Sequence, residues 1–151
     1  MRTLFITLSM LSIGFSLYAQ AGKTTYNKAL ADSLGADEYG MKMYVFVILK
    51  SGTAKVDKAT SDSLFGGHMQ NINRLAQAGK LVVAGPFGKN DKDFRGLFIL
   101  NAKTTEEAQQ LLNTDPAIKA HLLEPELVPW YGSAALPMYL PYHEKVAKTS
   151  F

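Results

Sequence analysis

Apolar and polar positions along the 151-residue chain change period several times, and each change marks an element. From Met41 to Lys50, Met43, Val45, Val47 and Leu49 alternate with Tyr44, Phe46 and Ile48, so the segment is apolar on both sides and predicts a central strand. Residues 51–62 carry Gly, Thr, Lys and Asp without a period and predict a loop, with Thr60, Ser61 or Ser63 capping the helix that follows. In that helix Leu64, His68, Ile72 and Leu75 recur at helical spacing, with Phe65, Met69 and Ala76 beside them. Gly66 and Gly67 weaken its start and strip it of bulk just before His68, and Gly79 is placed to end it in the left-handed region. Leu81-Val82-Val83-Ala84 then reads as a strand buried on both faces, stopped by Gly85-Pro86.

The pattern continues with a polar hairpin loop at 88–93 and an alternating strand at 94–100. A helix follows, capped by Thr104 or Thr105 with Glu106 and Glu107 in its first turn, and Asp115-Pro116 opens a second short helix running to Ala120. Residues 122–130 give a fourth strand that Pro125 and Pro129 restrict to an edge or a bulged course. The order β-α-β-β-α-β with right-handed crossovers predicts a ferredoxin-like α+β fold, one four-stranded antiparallel sheet with both helices on one face. Its other face, expected to carry Tyr44, Phe46, Val82, Phe98 and Leu127, is too apolar for water, which predicts a homodimer packed sheet to sheet in the manner of a dimeric α/β barrel.

Both ends lie outside that pattern. The first nineteen residues combine Arg2, an apolar centre from Leu4 to Leu17 and small Ala19, the layout of a cleaved signal peptide, so the protein is expected to be exported, periplasmic or secreted, with no membrane contact once the segment is removed. Residues 20–40 form an extension with a short docking helix built on Tyr26, Leu30 and Leu34 and stopped by Gly35. Residues 41–132 make the domain. Residues 133–151, with Leu136, Met138, Tyr139, Leu140 and Tyr142 among two prolines, form a tail too apolar to be wholly solvated, expected to lie along the domain or its dimer mate and to fray from Lys145.

Composition narrows the chemistry. With Arg2 set aside, fifteen basic residues face 13 acidic ones, too small an excess to imply nucleic acid. The absence of cysteine excludes disulfides and thiolate catalysis. His68, His121 and His143 sit in three different elements without metal-ligand spacing, and no phosphate-binding glycine loop or nucleophile elbow occurs, so no metal or cofactor is expected. His68 fits a core histidine bonded to backbone as well as a group aimed into a pocket. Asp115 fits the helix cap as well as a partner for the ring, and one carboxylate can do both. Asn71 and Arg74 could reach a ligand anion, although Arg74 also suits a solvated helix face.

The ordered set of His68, a strand-ending Gly85-Pro86-Phe87 seventeen positions on, and Asp115-Pro116 resembles the YciI-like (YCII-related) domain family over about Met43 to Trp130, and Pro129-Trp130-Tyr131-Gly132 resembles its exported bacterial branch. The resemblance implies a dimer-forming ferredoxin-like domain with a His68/Asp115 pair near a cleft. Asn71, Gly85, Pro86, Phe87 and Trp130 would then line that cleft. Two functions follow from it: a cofactor-independent lyase or isomerase-like enzyme acting on a small cyclic or aromatic molecule, or a periplasmic protein that binds such a molecule without turnover.

Overall fold

The computed structural model describes residues 25–149, so the expected signal peptide at 1–19 lies outside the described residues. The elements are α1 (Lys28–Leu34), β1 (Met41–Ser51), α2 (Lys58–Gln77), β2 (Leu81–Pro86), β3 (Phe94–Leu100), α3 (Thr105–Leu112), α4 (Pro116–Lys119), β4 (Leu123–Ser133), a 3-10 turn (Leu136–Tyr139) and α5 (Leu140–Val146). The strands form one antiparallel sheet in the order β2-β3-β1-β4, the α+β ferredoxin-like arrangement.

Strand parity sorts the apolar side chains into two sets. Val45, Val47 and Leu49 of β1, Leu81 of β2, Phe98 and Leu100 of β3 and Leu123 of β4 pack with Leu75, Ala108, Leu112, Ala117 and Ile118 from the helices. Each large aliphatic side chain buried there contributes about 1.5–3 kcal/mol relative to exposure. Tyr44, Val82 and Ile99 point to the opposite face. Phe98 and Leu127, expected on that second face, belong to the helix side: Phe98 pairs with Val47 and Leu127 pairs with Val47 from the other edge, so all three share one orientation.

Several boundaries differ from the expected ones for local reasons. α2 starts before the serines and threonine, because Asp57 accepts from Thr60 N at 2.9 Å and is a stronger cap than residues already inside the helix. Gly66 and Gly67 therefore sit mid-helix. At its other end Gly79 takes φ +66° and Lys80 N returns to Leu75 O at 2.9 Å, the left-handed stop. β2 is an edge strand rather than one buried on both faces: Leu81 and Val82 are buried, but Ala84 and Pro86 are exposed. β4 is the other edge and runs in unbroken register to Ser133, because Pro125 and Pro129, four apart, both turn their missing donor away from β1.

The ends of the chain also settle differently. α1 buries no residue, so it is a short capped helix and not a docked one. The tail is ordered into the 3-10 turn and α5, with Leu136 packed on the Tyr44–Val82–Ile99 cluster and the Tyr139 hydroxyl donating to Val82 O. It thus covers part of its own sheet's second face.

The turn before β1 is tied to β4 by a hydrogen bond from the Tyr131 hydroxyl to Asp37, whose other oxygen accepts from Tyr39 N and Met41 N at 2.9 Å. The Tyr131 bond first, and the Met41 amide second, hold the Asp37 carboxyl below its ordinary value of 3.8. A lowered carboxyl adds stability that is present in full above the ordinary value and drains as pH falls through the folded one. Tyr131→Phe is therefore expected to move the Asp37 midpoint up toward the ordinary value in a carboxyl-carbon NMR titration. An unmoved midpoint would show that the tie is not what holds this carboxylate.

Candidate functional site

The site is assembled where α2 crosses the start of α4. Gly67 makes the crossing close: a Cβ there would lie 2.6 Å from Pro116 Cγ, so any side chain at 67 would push α4 away. The next residue on α2 is His68, and the residue before Pro116 is Asp115. Close helix packing and the dyad are therefore two consequences of one contact.

Asp115 is wholly buried and uses both oxygens. Oδ1 caps α4, accepting from Ala117 N at 2.9 Å and Ile118 N at 3.3 Å. Oδ2 lies 2.6 Å from His68 Nδ1. A carboxylate accepts, so Nδ1 carries the proton and Nε2 is left as the acceptor nitrogen of the neutral ring. His68 is 8% exposed, with Phe98 stacked on its ring at 5.8 Å and 22° and Phe65 edge-on at 6.1 Å. Among the described residues no buried side-chain nitrogen or oxygen lacks a partner. A histidine whose Nδ1 is fixed by a carboxylate and whose ring is walled by aromatic side chains can move a proton through Nε2.

Asn71, one turn beyond His68, is 7% exposed and turns inward to Asp115 Oδ2 at 3.5 Å. Its amide oxygen accepts from Arg74 at 2.7 Å and faces Thr114 Oγ1 at 2.9 Å, so its polar groups are engaged inside the protein. Arg74 is not simply a solvated charge, since the same nitrogen reaches Thr114 Oγ1 at 2.7 Å.

The other residues expected in the cleft lie elsewhere. Pro86 and Phe87 line a separate hollow of about 450 Å³ with Ser51, Lys89, Asn90, Phe94 and Arg95, and Gly85 precedes them at the end of β2 opposite Leu97. Trp130 pairs with Tyr44 and tilts against its ring at 5.6 Å, which places it on the sheet face opposite His68. The reason is parity: Tyr44 and Trp130 share the second face, whereas Phe98 under His68 is on the helix side. A further hollow lies between α3 and β4 and is lined by Thr105, Glu106, Gln109, Gln110 and Leu127. Neither hollow includes His68 or Asp115.

Sequence reasoning missed Phe65 and Phe98 as walls of the site, Thr114 as a polar neighbour and the spacing role of Gly67. Phe65 and Thr114 each had a signal, three residues before His68 and one before Asp115. Phe98 had none, because the face of β3 depends on its register with β1.

The family model of the YCII-related domain matches residues 43–130. The solved structure of 5-chloro-2-hydroxyhydroquinone dehydrochlorinase from Burkholderia phenoliruptrix AC1100, in complex with 2,5-dihydroxybenzoquinone, is similar at 25% identity with a TM-score of 0.41, over 57% of this chain and 92% of that one. No curated protein matches the chain.

Proposed function

The chain belongs to the YCII-related domain family, and from that membership and the buried dyad we propose that it is a cofactor-independent enzyme of the lyase or isomerase kind. The observation that carries the proposal is the 2.6 Å contact between His68 Nδ1 and a carboxylate with no exposed surface. Asp115 holds the ring in one tautomer and stabilises it when it becomes charged. Nε2 takes a proton from a substrate carbon. The electron pair left behind either expels a leaving group from the neighbouring atom, which is lyase chemistry, or is reprotonated at another position by Nε2–H, which is isomerase chemistry. Phe65 and Phe98 beside the ring favour a flat, apolar substrate body, a small cyclic or aromatic molecule.

The test is proton exchange in deuterated water across a panel of small cyclic and aromatic compounds with acidic C–H bonds, followed by NMR. The unaltered protein is expected to wash deuterium into at least one of them, and His68→Ala to lose about 10²–10⁴-fold of that rate. Equal binding by both proteins with no exchange in either would favour the second reading, binding without turnover, which the small remaining exposure of His68 supports.

We also propose that the protein is exported and pairs as a homodimer. Val128 at 42% exposure and Trp130 at 36%, with half-buried Phe46, leave an apolar strip on the β1–β4 side of the sheet that the tail does not cover. A second copy laid across the two-fold axis would bury it. Native mass spectrometry of the exported product is expected to give twice the mass of a chain starting at Gln20 or Gly22. A monomer mass at micromolar concentration removes the dimer, and a chain retaining 1–19 makes that segment an anchor.

A further inference from the structure

The Arg74 side chain and the Thr114 hydroxyl bond to Asn71, whose amide reaches Asp115 Oδ2 beside the dyad. Arg74 Nη2 lies 2.7 Å from Asn71 Oδ1 and 2.7 Å from Thr114 Oγ1. Thr114 Oγ1 is in turn 2.9 Å from Asn71 Oδ1 and 2.6 Å from Leu111 O, and its single proton serves one of these at a time. We propose that Arg74, with Thr114, is a positioning residue for the dyad, acting through the amide orientation of Asn71.

The argument is one of donor and acceptor count. A guanidinium only donates, so the Asn71 atom it meets must be the oxygen. That choice turns the Nδ2 end toward Asp115 Oδ2, at 3.5 Å. The opposite flip would set an amide oxygen against a carboxylate oxygen in a wholly buried site, where the repulsion is weakly screened, and would leave Arg74 facing an N–H₂ group. Arg74 therefore selects the orientation that lets Oδ2 stay against His68 Nδ1. Asn71 accordingly acts within the protein and not as a contact for ligand. The inference rests on the dyad reading above but not on any substrate.

The test uses the full chain and reads the ring directly. A histidine Nδ1–H bonded to a carboxylate at 2.6 Å gives a proton resonance far downfield, which a merely structural change elsewhere leaves in place. Arg74→Met keeps the aliphatic stem and removes the donor; Thr114→Val keeps the shape and removes the hydroxyl. Both are expected to fold, and Arg74→Met to broaden or lose the downfield signal, with Thr114→Val weaker in the same direction. Arg74→Lys is expected to restore it only in part, since an ammonium meets the two oxygens as a point charge and not as a planar fork. Where a turnover assay exists, kcat in Arg74→Met is expected to fall about tenfold with KM unchanged.

An unaltered resonance in Arg74→Met overturns the positioning role while leaving the dyad intact. Absence of the resonance from the unaltered protein overturns the dyad, and the positioning role with it. Its presence without turnover of any compound removes only the enzyme reading.

Discussion

Asp115→Ala is expected to cost about 3–5 kcal/mol of folding stability, toward the lower end of what leaving three donors without their acceptor at roughly 1–3 kcal/mol each would amount to. The carboxylate is fully buried and has three close donors: His68 Nδ1, Ala117 N and Ile118 N. Alanine leaves all three without this acceptor, and it removes the cap of α4 as well. Asp115→Asn separates the two roles. Its oxygen can still cap α4, so the loss should be nearer 1.5–3 kcal/mol, about the worth of one hydrogen bond to a charged group. Its NH₂ then faces Nδ1, two donors opposed, and the ring must place its proton on Nε2 to accept. A fold kept with the base consumed is the expected outcome. Urea unfolding gives both numbers, provided the m-values of the variants agree. A loss below about 0.5 kcal/mol for Asp115→Ala, typical of a surface change, would show that the carboxylate is not the joint between α2 and α4.

Gly52→Ala is expected to be nearly as damaging although it is no part of the His68–Asp115 dyad. An added Cβ would stand 2.0 Å from His121 O and 2.7 Å from His121 C, both backbone atoms. Backbone cannot swing aside as a flexible side chain can, so the end of β1 must part from the turn joining α4 to β4. Two hydrogen bonds go with it, Gly52 N to Leu122 O at 2.9 Å and Ala54 N to His121 O at 3.1 Å. The cost is about 3 kcal/mol, the upper part of the overpacking range. Gly66→Ala supplies the contrast, since its Cβ meets nothing within 4 Å and the residue is in mid-helix. That change should stabilise by about 0.5–1 kcal/mol through helix propensity. Thermal unfolding of the two variants side by side tests the pair, and equal shifts of one sign would mean that the close approach at 52 is relieved elsewhere.

Much of the architecture was legible because it follows from short-range rules. Alternation over 41–50 and 94–100, helical spacing from Leu64 to Leu75, Gly79 as a left-handed stop and Asp115-Pro116 as a helix start each depend on neighbours within one or two turns, and each corresponds to an element of the structure. The start of α2 was misplaced because several good caps stand in a row, and only the bond from Thr60 N to Asp57 singles out one of them. The tail was missed as helical because its prolines at 137 and 141 break any period. They are tolerated because each falls in the first turn of its element.

The sequence by itself determined the helices and strands between 41 and 133, their order β-α-β-β-α-β, and that His68 lies on the apolar face of its helix while Asp115-Pro116 opens another, since all of these are set by local periodicity and end chemistry. Tertiary structure alone decided which polar groups meet. Gly67 against Pro116 brings two residues 47 positions apart to 2.6 Å, and a close approach of that kind leaves no trace in periodicity. It also decided which face each strand residue serves: the register of β3 and β4 on β1 put Phe98 under the histidine and sent Trp130 to the far side, because a period of two gives every strand two faces and only its partner says which is which.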